Sequence, residues 1–128
     1  MKSKIIIEKY FKALETGNYE QMIKLFTPDA VVHSPVYGNV KANEFYKKLF
    51  SDTSESKIIL LNIFEGKDNF TGACHFMYDW KLANGKDISF ECVDVFKFSD
   101  SGLIKELTII YDASATRPAL KRINKNTG

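Results

Sequence analysis

The sequence predicts an α+β fold in which three N-terminal helices pack on one face of a curved, mostly antiparallel sheet. Apolar residues recur at helical spacing up to about residue 50 and alternate at strand spacing from Lys57 onward. Short polar separators divide the second half of the chain, which is typical of consecutive hairpins. A chain of 128 residues has the length of one domain. We assign residues 1–116 to that domain and residues 117–128 to a basic C-terminal tail.

The first two helices are predicted from apolar spacing and capping residues. Apolar residues at positions i, i+3, i+4 and i+7 begin at Ile7, and we expect this helix to end near Gly17. Asn18, followed three residues later by Gln21, is typical of a capping box that opens a second helix. We expect the second helix to end just before Pro28.

A short strand, a loop and a third helix follow before the main sheet. We expect the strand at residues 30–33, the loop at residues 34–38 and the helix at residues 40–50. Beyond them, apolar alternation between turn residues predicts four long strands. These strands are expected at residues 57–65, 70–82, 86–98 and 103–112.

The Asn84-Gly85 pair is the strongest local turn signal, and it favours a two-residue type I′ hairpin. Such a turn fixes the register so that His75 lies opposite Asp94, with both side chains on one face of the sheet. The opposite, outer face would then carry many apolar side chains. The residues expected on that outer face are Phe76, Tyr78, Trp80, Val93 and Val95.

Composition excludes several classes of protein. Hydrophobic residues make up 45% and charged residues 27% of the chain, values typical of a globular domain. No apolar run is long enough for a transmembrane helix and no signal-peptide pattern is present, so we expect a cytoplasmic protein without a membrane partner. The net charge of +2 comes from the tail, so we expect no nucleic-acid partner. Cys74 and Cys92 are expected on opposite faces as free thiols.

Polar residues on apolar faces are the candidate functional residues. Asp94 alternates with apolar neighbours, and a carboxyl group in that position pairs, takes up a proton or borders a pocket. Tyr10 lies on the apolar stripe of the first helix. Each residue also has a purely structural interpretation, as a buried aspartate or a core tyrosine with satisfied hydrogen bonds. Since His33 and His75 are the histidines available and no cofactor motif is present, we expect no metal site and no cofactor.

Residues 25–32 and 93–98 are the clearest part of a resemblance that covers nearly the whole chain. The chain resembles the nuclear transport factor 2-like (NTF2-like) superfamily, a cone-shaped α+β fold shared by ketosteroid isomerases and SnoaL-like polyketide cyclases. The resemblance to the isomerases implies an oxyanion hole formed by Tyr10 and a protonated Asp94. It also places Ser34 where the isomerases have their base, an aspartate that precedes a proline. We therefore do not expect true ketosteroid isomerase activity.

The resemblance suggests one reaction class and leaves two alternatives open. SnoaL-like cyclases are similar in pairing an aspartate with a nearby histidine for cofactor-free proton transfer, and the expected register offers His75 beside Asp94. Our leading hypothesis is therefore isomerase- or cyclase-like acid–base chemistry on a small cyclic carbonyl compound. Because Ser34 replaces the base, the alternatives are a non-catalytic ligand-binding module and a protein-interaction domain with a filled pocket. Arg117 and Arg122 lie in the tail, which argues against the Asp-Arg-Asp chemistry of limonene-type epoxide hydrolases.

A small apolar molecule and a second copy of the chain are the expected partners. Aromatic residues make up 13% of the sequence, more than an ordinary core needs, and the resembling isomerases line their pocket from the last strand. The apolar outer face predicts a homodimer, as in related folds. The predicted ligand-binding residues are Tyr19, Phe26, Ser34, Tyr46, Met77, Phe90, Leu107, Ile109 and Tyr111.

Overall fold

The computed structural model describes residues 2–127, with side chains for residues 3–123. Its elements confirm the α+β class, with three helices before the long strands. In chain order the described elements are α1 (Lys2–Thr16), α2 (Tyr19–Ile23), β1 (Phe26–Ser34), β2 (Gly38–Lys41), α3 (Ala42–Ser51), β3 (Thr53–Glu65), β4 (Thr71–Leu82), β5 (Asp87–Phe98), β6 (Ile104–Ile110) and α4 (Thr116–Thr127).

The described strands form one curved sheet in the order β2-β1-β6-β5-β4-β3. Neighbouring strands are antiparallel except β1 and β6, which run parallel. Irregularities interrupt the pairing of β3 with β4 and of β5 with β6, and such bulges bend the strands. The inner face of the sheet and the apolar faces of α1 and α3 enclose the hydrophobic core. The expected curved, mostly antiparallel sheet is confirmed.

The first turn between helices forms as its sequence indicates. Gly17 ends α1 with a φ of 64°, a conformation in which a side chain would be strained. The Asn18 side chain then accepts a hydrogen bond from the Gln21 backbone N–H at 3.1 Å and caps α2. The second helix is shorter than expected, since Phe26 already belongs to β1. The apolar stripe of α1 is buried and consists of Ile7, Tyr10, Phe11 and Leu14.

The hairpin between β4 and β5 differs from the expected type I′ turn. The Leu82 N–H donates to the Lys86 carbonyl at 2.8 Å, so the loop contains three residues rather than two. Gly85 has a φ of 89°, whereas Asn84 has no positive φ, and a type I′ turn needs positive values at both central residues. The extra loop residue moves the register by one position, which turns each side chain of β4 to the other face.

The corrected register separates His75 from Asp94. His75 lies opposite Val93, and Cys74 takes the position opposite Asp94. The expected His75–Asp94 pair is therefore wrong. Cys74 and Cys92 are free thiols, but both are buried on the inner face, so their expected placement on opposite faces is wrong as well.

Three aromatic residues expected on the outer face also point inward. Phe76, Tyr78 and Trp80 are buried in the core. The outer face therefore lacks the aromatic side chains that favoured a homodimer. Val93 and Val95 remain on that face and are half-buried.

The segment expected as a tail contributes to the core in its described part. Helix α4 buries Ala119, Leu120 and Ile123 in the same hydrophobic cluster as α1 and the sheet. The Arg117 guanidinium donates to the Pro35 carbonyl at 2.8 Å and ties this helix to the loop between β1 and β2. The chain thus continues its packed domain past residue 116. Over the described residues, no helix has the length and apolar character needed to cross a bilayer.

Candidate functional site

A cavity of about 40 Å³ lies between the inner face of the sheet and helices α1 and α3. Its wall is mainly aromatic and aliphatic. Among the described side chains, it contains a single carboxyl group and no lysine, arginine or histidine. The wall residues with a hydroxyl, thiol or carboxyl group are Tyr10, Ser34, Tyr37, Tyr78, Cys92, Asp94 and Tyr111.

Asp94 is the carboxyl group of this wall, and strand β5 directs it inward. The residue is 1% exposed, and the Cys92 thiol donates a hydrogen bond to its Oδ1 atom at 3.4 Å. Burial raises the pKa of Asp94 to about 7, and the bond from Cys92 partly opposes that rise. A carboxyl group with a pKa near neutral pH can both give and take a proton under physiological conditions.

Tyr10 of α1 adds a phenol to the wall, and Tyr46 of α3 supports it from behind. Their hydroxyl oxygens are 2.7 Å apart and share a hydrogen bond. The rings of Tyr10 and Phe96 meet edge to face at 5.2 Å, which fixes the Tyr10 ring. Burial raises the pKa of Tyr10 well above its ordinary value, so the phenol stays neutral and can donate a hydrogen bond.

Tyr37, from the loop between β1 and β2, contributes a second phenol to the wall. Its hydroxyl donates to Oδ2 of Asp52 at 2.7 Å. Asp52 directly follows α3 and is 3% exposed, and the Lys48 ammonium lies 3.3 Å from its other oxygen, Oδ1. Burial, and then the bond to Asp52, raise the pKa of Tyr37 far above its ordinary value. The wall therefore reaches a buried, ion-paired carboxylate through one phenol.

Ser34 lies in the wall, and its hydroxyl oxygen organises the loop. It accepts hydrogen bonds from the backbone N–H groups of Val36 and Tyr37, each at 3.2 Å. Such short-range bonds from a serine to the following backbone stabilise tight turns. The serine thus positions Tyr37.

The structure separates the predicted site residues into three groups. The first group lies in the cavity wall: Tyr10, Ser34, Phe90, Asp94, Ile109 and Tyr111. A second group is buried outside the wall: Phe26, Tyr46 and Leu107. The third group lies elsewhere: Tyr19, whose hydroxyl donates to the Asn43 carbonyl, and His75 and Met77 on the outer face.

The placement of His75 and Met77 corrects the sequence interpretation. His75 hydrogen-bonds Glu91 across the outer face of β4 and β5, away from the cavity. Met77 lies opposite the same glutamate on that face. Neither side chain touches the candidate site, because the one-residue change of register turned both of them outward.

The sequence interpretation missed polar residues in or next to the cavity wall. Tyr78 donates or accepts a 2.7 Å bond with Ser56, and the wrong register had placed it on the outer face. Tyr37 lies in a loop, where no periodic pattern reveals the direction of a side chain. Asp52 follows the third helix and resembles an ordinary exposed helix-end residue in the sequence. Over residues 3–123, no three His, Cys, Asp or Glu side chains cluster as metal ligands would.

Several solved structures share this fold at low sequence identity. SalBIII, an epoxide hydrolase/cyclase-like enzyme with a role in pyran ring formation in the polyether salinomycin, gives a TM-score of 0.75 at 21% identity, over 87% of this chain and 91% of that one. A Δ5-3-ketosteroid isomerase from Mycobacterium sp. gives a TM-score of 0.72 at 17% identity, over 89% of this chain and 95% of that one. An NTF2-like protein of unknown function from Exiguobacterium sp. 255-15 gives a TM-score of 0.72 at 14% identity, over 85% of this chain and 99% of that one.

The family is identified by the sequence match. Among proteins with curated functions, none matches the chain. The SnoaL-like domain matches residues 7–107, which is most of the chain and includes both Tyr10 and Asp94. The NTF2-like fold expected from the sequence is confirmed by the solved structures. The chain therefore belongs to the SnoaL-like domain family.

Proposed function

We propose that the chain catalyses cofactor-independent acid–base chemistry on a small, mainly apolar compound that carries a carbonyl oxygen. The observation that carries this proposal is the carboxyl group of Asp94, which is buried in the cavity wall with a pKa of about 7 and no cationic partner there. A neutral carboxylic acid in an apolar site donates a hydrogen bond to an oxygen that gains negative charge. Asp94 has the surroundings that this role requires.

In this proposal Tyr10 and Asp94 act on the same substrate oxygen. Both line the cavity, and both are neutral at pH values below about 7. As the substrate loses a proton from carbon, negative charge moves onto the oxygen, and the two donors stabilise it more strongly than they stabilise the ketone. The hydrogen bond that Tyr10 and Tyr46 share keeps the Tyr10 hydroxyl in place.

The similar structures support the reaction class. One is described as a ketosteroid isomerase and another as an epoxide hydrolase/cyclase-like enzyme. An isomerase- or cyclase-like reaction is therefore the form of acid–base chemistry that we propose here.

The test is isomerisation of cyclohex-3-enone to cyclohex-2-enone, followed by ultraviolet absorbance of the conjugated product. We expect Asp94→Asn to lose at least about 100-fold in kcat, because an amide is a much weaker hydrogen-bond donor to an oxyanion than a carboxylic acid and cannot give up its proton. The wild-type rate should fall as the pH rises through about 7, where Asp94 ionises and ceases to donate. Asp79→Asn is the matched control, since Asp79 is exposed on the outer face. Equal rates in wild type and Asp94→Asn would contradict the proposal.

The size of the cavity favours a second candidate function, a non-catalytic interaction domain. About 40 Å³ is well below the ~150 Å³ of an apolar cavity that admits benzene. As an enzyme, the chain would have to widen the cavity at its half-buried side, where Phe90 and Tyr111 stack at 4.2 Å. Titration with cyclohexanone, followed by NMR, distinguishes the candidates. Shifts at Tyr10 and Asp94 support the enzyme, and their absence supports the interaction domain.

A homodimer through the outer face remains a proposal, on a revised set of residues. The pairs Ile59–Met77 and Val93–Ile110 place apolar side chains side by side on that face. Ile59 is 60% exposed and Ile110 is 53% exposed, which is unusual for isoleucine. Native mass spectrometry would give twice the mass of the chain if this face is an interface.

A further inference from the structure

We propose that Tyr37 and Asp52 form a proton relay that provides the base of the reaction. Tyr37 would touch the substrate and act as the catalytic group, and Asp52 would act through it as a positioning residue and proton acceptor. The inference rests on the proposed function, in which Asp94 supplies the acid while Ser34 stands where the related isomerases have their base.

The geometry of the relay is set by one short hydrogen bond. Tyr37 lines the cavity, and its hydroxyl donates to Asp52 Oδ2 at 2.7 Å. A phenol that donates its hydrogen in this way keeps lone pairs on oxygen with which to accept a proton from the cavity. Lys48 pairs with the other oxygen, Oδ1, at 3.3 Å and leaves Oδ2 to the phenol. Asp52 is 3% exposed, so bulk water does not compete for it.

Three other wall residues that hydrogen-bond through a hydroxyl, and Cys92 through its thiol, lack an ion-paired carboxylate as a partner. The Ser34 oxygen accepts from two backbone N–H groups. The Cys92 thiol donates to Asp94, and burial raises its pKa far above its ordinary value. Tyr10 and Tyr78 are hydrogen-bonded to hydroxyl groups, those of Tyr46 and Ser56. Within the described wall, Tyr37 is the phenol that has a carboxylate behind it.

The two ends of the cavity would work in one step. The α-carbon of the ketone gives its proton to the Tyr37 oxygen while the Tyr37 hydrogen moves to Asp52 Oδ2. The electron pair of the broken C–H bond forms the C=C bond of an enol, and the carbonyl oxygen takes the proton of Asp94. Tyr37 remains a neutral phenol, which agrees with a pKa raised by burial.

The return step restores every group. When the substrate is a β,γ-unsaturated ketone, the enol is a conjugated dienol, and Asp52 passes its proton back through Tyr37 to the γ-carbon. The dienol electrons form that C–H bond and the new C=C bond while the carbonyl re-forms, and the enol oxygen returns its proton to Asp94. The ketone then has its double bond in a new position. No oxidant, reductant or further reactant is consumed, so the relay is complete with this chain and its substrate.

The experiment measures isomerisation of cyclohex-3-enone by wild type, Tyr37→Phe and Asp52→Asn. We expect each variant to lose at least about 100-fold in kcat with little change in KM. Asp52→Asn decides the mechanism, because an amide oxygen still accepts the Tyr37 hydrogen bond but cannot take up the proton. Asp52→Glu should recover part of the lost activity. A merely structural role for Asp52 predicts an active Asp52→Asn enzyme, and that result would overturn the relay.

Tyr78→Phe is the matched control for loss of a phenol from the wall. Tyr78 lines the same cavity and has a hydrogen bond of the same length, but its partner is the Ser56 hydroxyl. We expect it to lose much less activity than Tyr37→Phe, and an equal loss would overturn the special role of Tyr37. Thermal unfolding and near-ultraviolet circular dichroism confirm that each variant folds.

Two outcomes separate failure of the relay from failure of the function. A wild-type chain without turnover, and without exchange of the α-protons of cyclohexanone in D2O, would overturn both proposals. Turnover that depends on Asp94 but is unchanged in Tyr37→Phe and Asp52→Asn would overturn the relay alone.

Discussion

The two buried carboxyl groups near the cavity have opposite surroundings. Asp94 lies on the sheet among phenols and thiols, and its hydrogen bond comes from the Cys92 thiol. Asp52 lies at the end of α3, with an ammonium group at 3.3 Å from Oδ1 and a phenol hydrogen at Oδ2. Both side chains are almost fully buried, at 1% and 3% exposure, so burial alone does not distinguish them.

In the mechanism that we propose, neighbouring charge distinguishes the roles of the two carboxyl groups. Burial without a cation favours the neutral acid, and a cation within ion-pairing distance favours the carboxylate. A neutral acid can donate a hydrogen bond to a substrate oxygen. A carboxylate can accept a proton that leaves a substrate carbon. Acid and base at one site commonly arise from two similar groups in different surroundings. Here the surroundings of Asp94 suit the acid and those of Asp52 suit the base.

The largest expected effect is a pH dependence of stability that comes from Asp94. Its folded pKa of about 7 lies above its unfolded value of 3.8, so the unfolded chain binds fewer protons between these pH values. Stability is therefore fully present below about pH 4 and falls as the pH rises through about 7. The difference between the two pKa values corresponds to about 4 kcal/mol at most. Urea unfolding between pH 4 and pH 8 measures it.

Asp94→Asn provides the control for that measurement. The amide does not ionise, so the variant should lose the part of the pH dependence that Asp94 causes and should exceed the wild type in stability above about pH 7. Other titrating groups contribute equally to both proteins. If the free energy of unfolding depended on pH in the same way in wild type and Asp94→Asn, Asp94 would not be a neutral acid in the folded protein.

Local sequence signals predicted much of the fold and the position of Asp94. Glycine and asparagine at the end of α1, and apolar alternation along the strands, act through neighbouring residues and are readable in the sequence. The β4–β5 register could not be predicted in this way. Asn84-Gly85 suits both a two-residue type I′ loop and a three-residue loop with glycine in the left-handed region. The two loops differ by one residue and exchange the faces of β4, so Tyr78 and His75 changed places between core and surface.

The Tyr37–Asp52 pair could not be predicted from the sequence, for a different reason. Tyr37 and Asp52 are fifteen positions apart, and a loop and a helix end bring them together. Neither position lies in a periodic pattern, and an aspartate after a helix is ordinarily exposed. Asp94 was readable because its strand neighbours are apolar. The local sequence pattern therefore identifies Asp94 as a candidate site residue, whereas only the tertiary contact with Tyr37 identifies Asp52.

A smaller effect is expected from changing the hydrogen bond at the Asp94 end. The Cys92 thiol lowers the pKa of Asp94 by donating to Oδ1. Cys92→Ala removes the donor, so the pKa of Asp94 should rise above about 7. Cys92→Ser offers a stronger donor and should lower it. NMR titration of the Asp94 carboxyl carbon measures both, and identical titrations in all three proteins would contradict the bond.

The smallest effect is expected at His75, and it tests whether the Asp94 end truly lacks a basic partner. His75 bonds Glu91 on the outer face, and the Glu91 side chain is 63% exposed. An exposed pair of this kind contributes about 0–1 kcal/mol to stability. His75→Gln should therefore unfold within that range of the wild type and keep its turnover of cyclohex-3-enone. A large loss of turnover, together with a changed Asp94 titration, would place the histidine beside Asp94 and restore the two-residue hairpin. Unchanged turnover instead means that proton transfer at the Asp94 end proceeds without His75, as its bond to Glu91 on the outer face predicts.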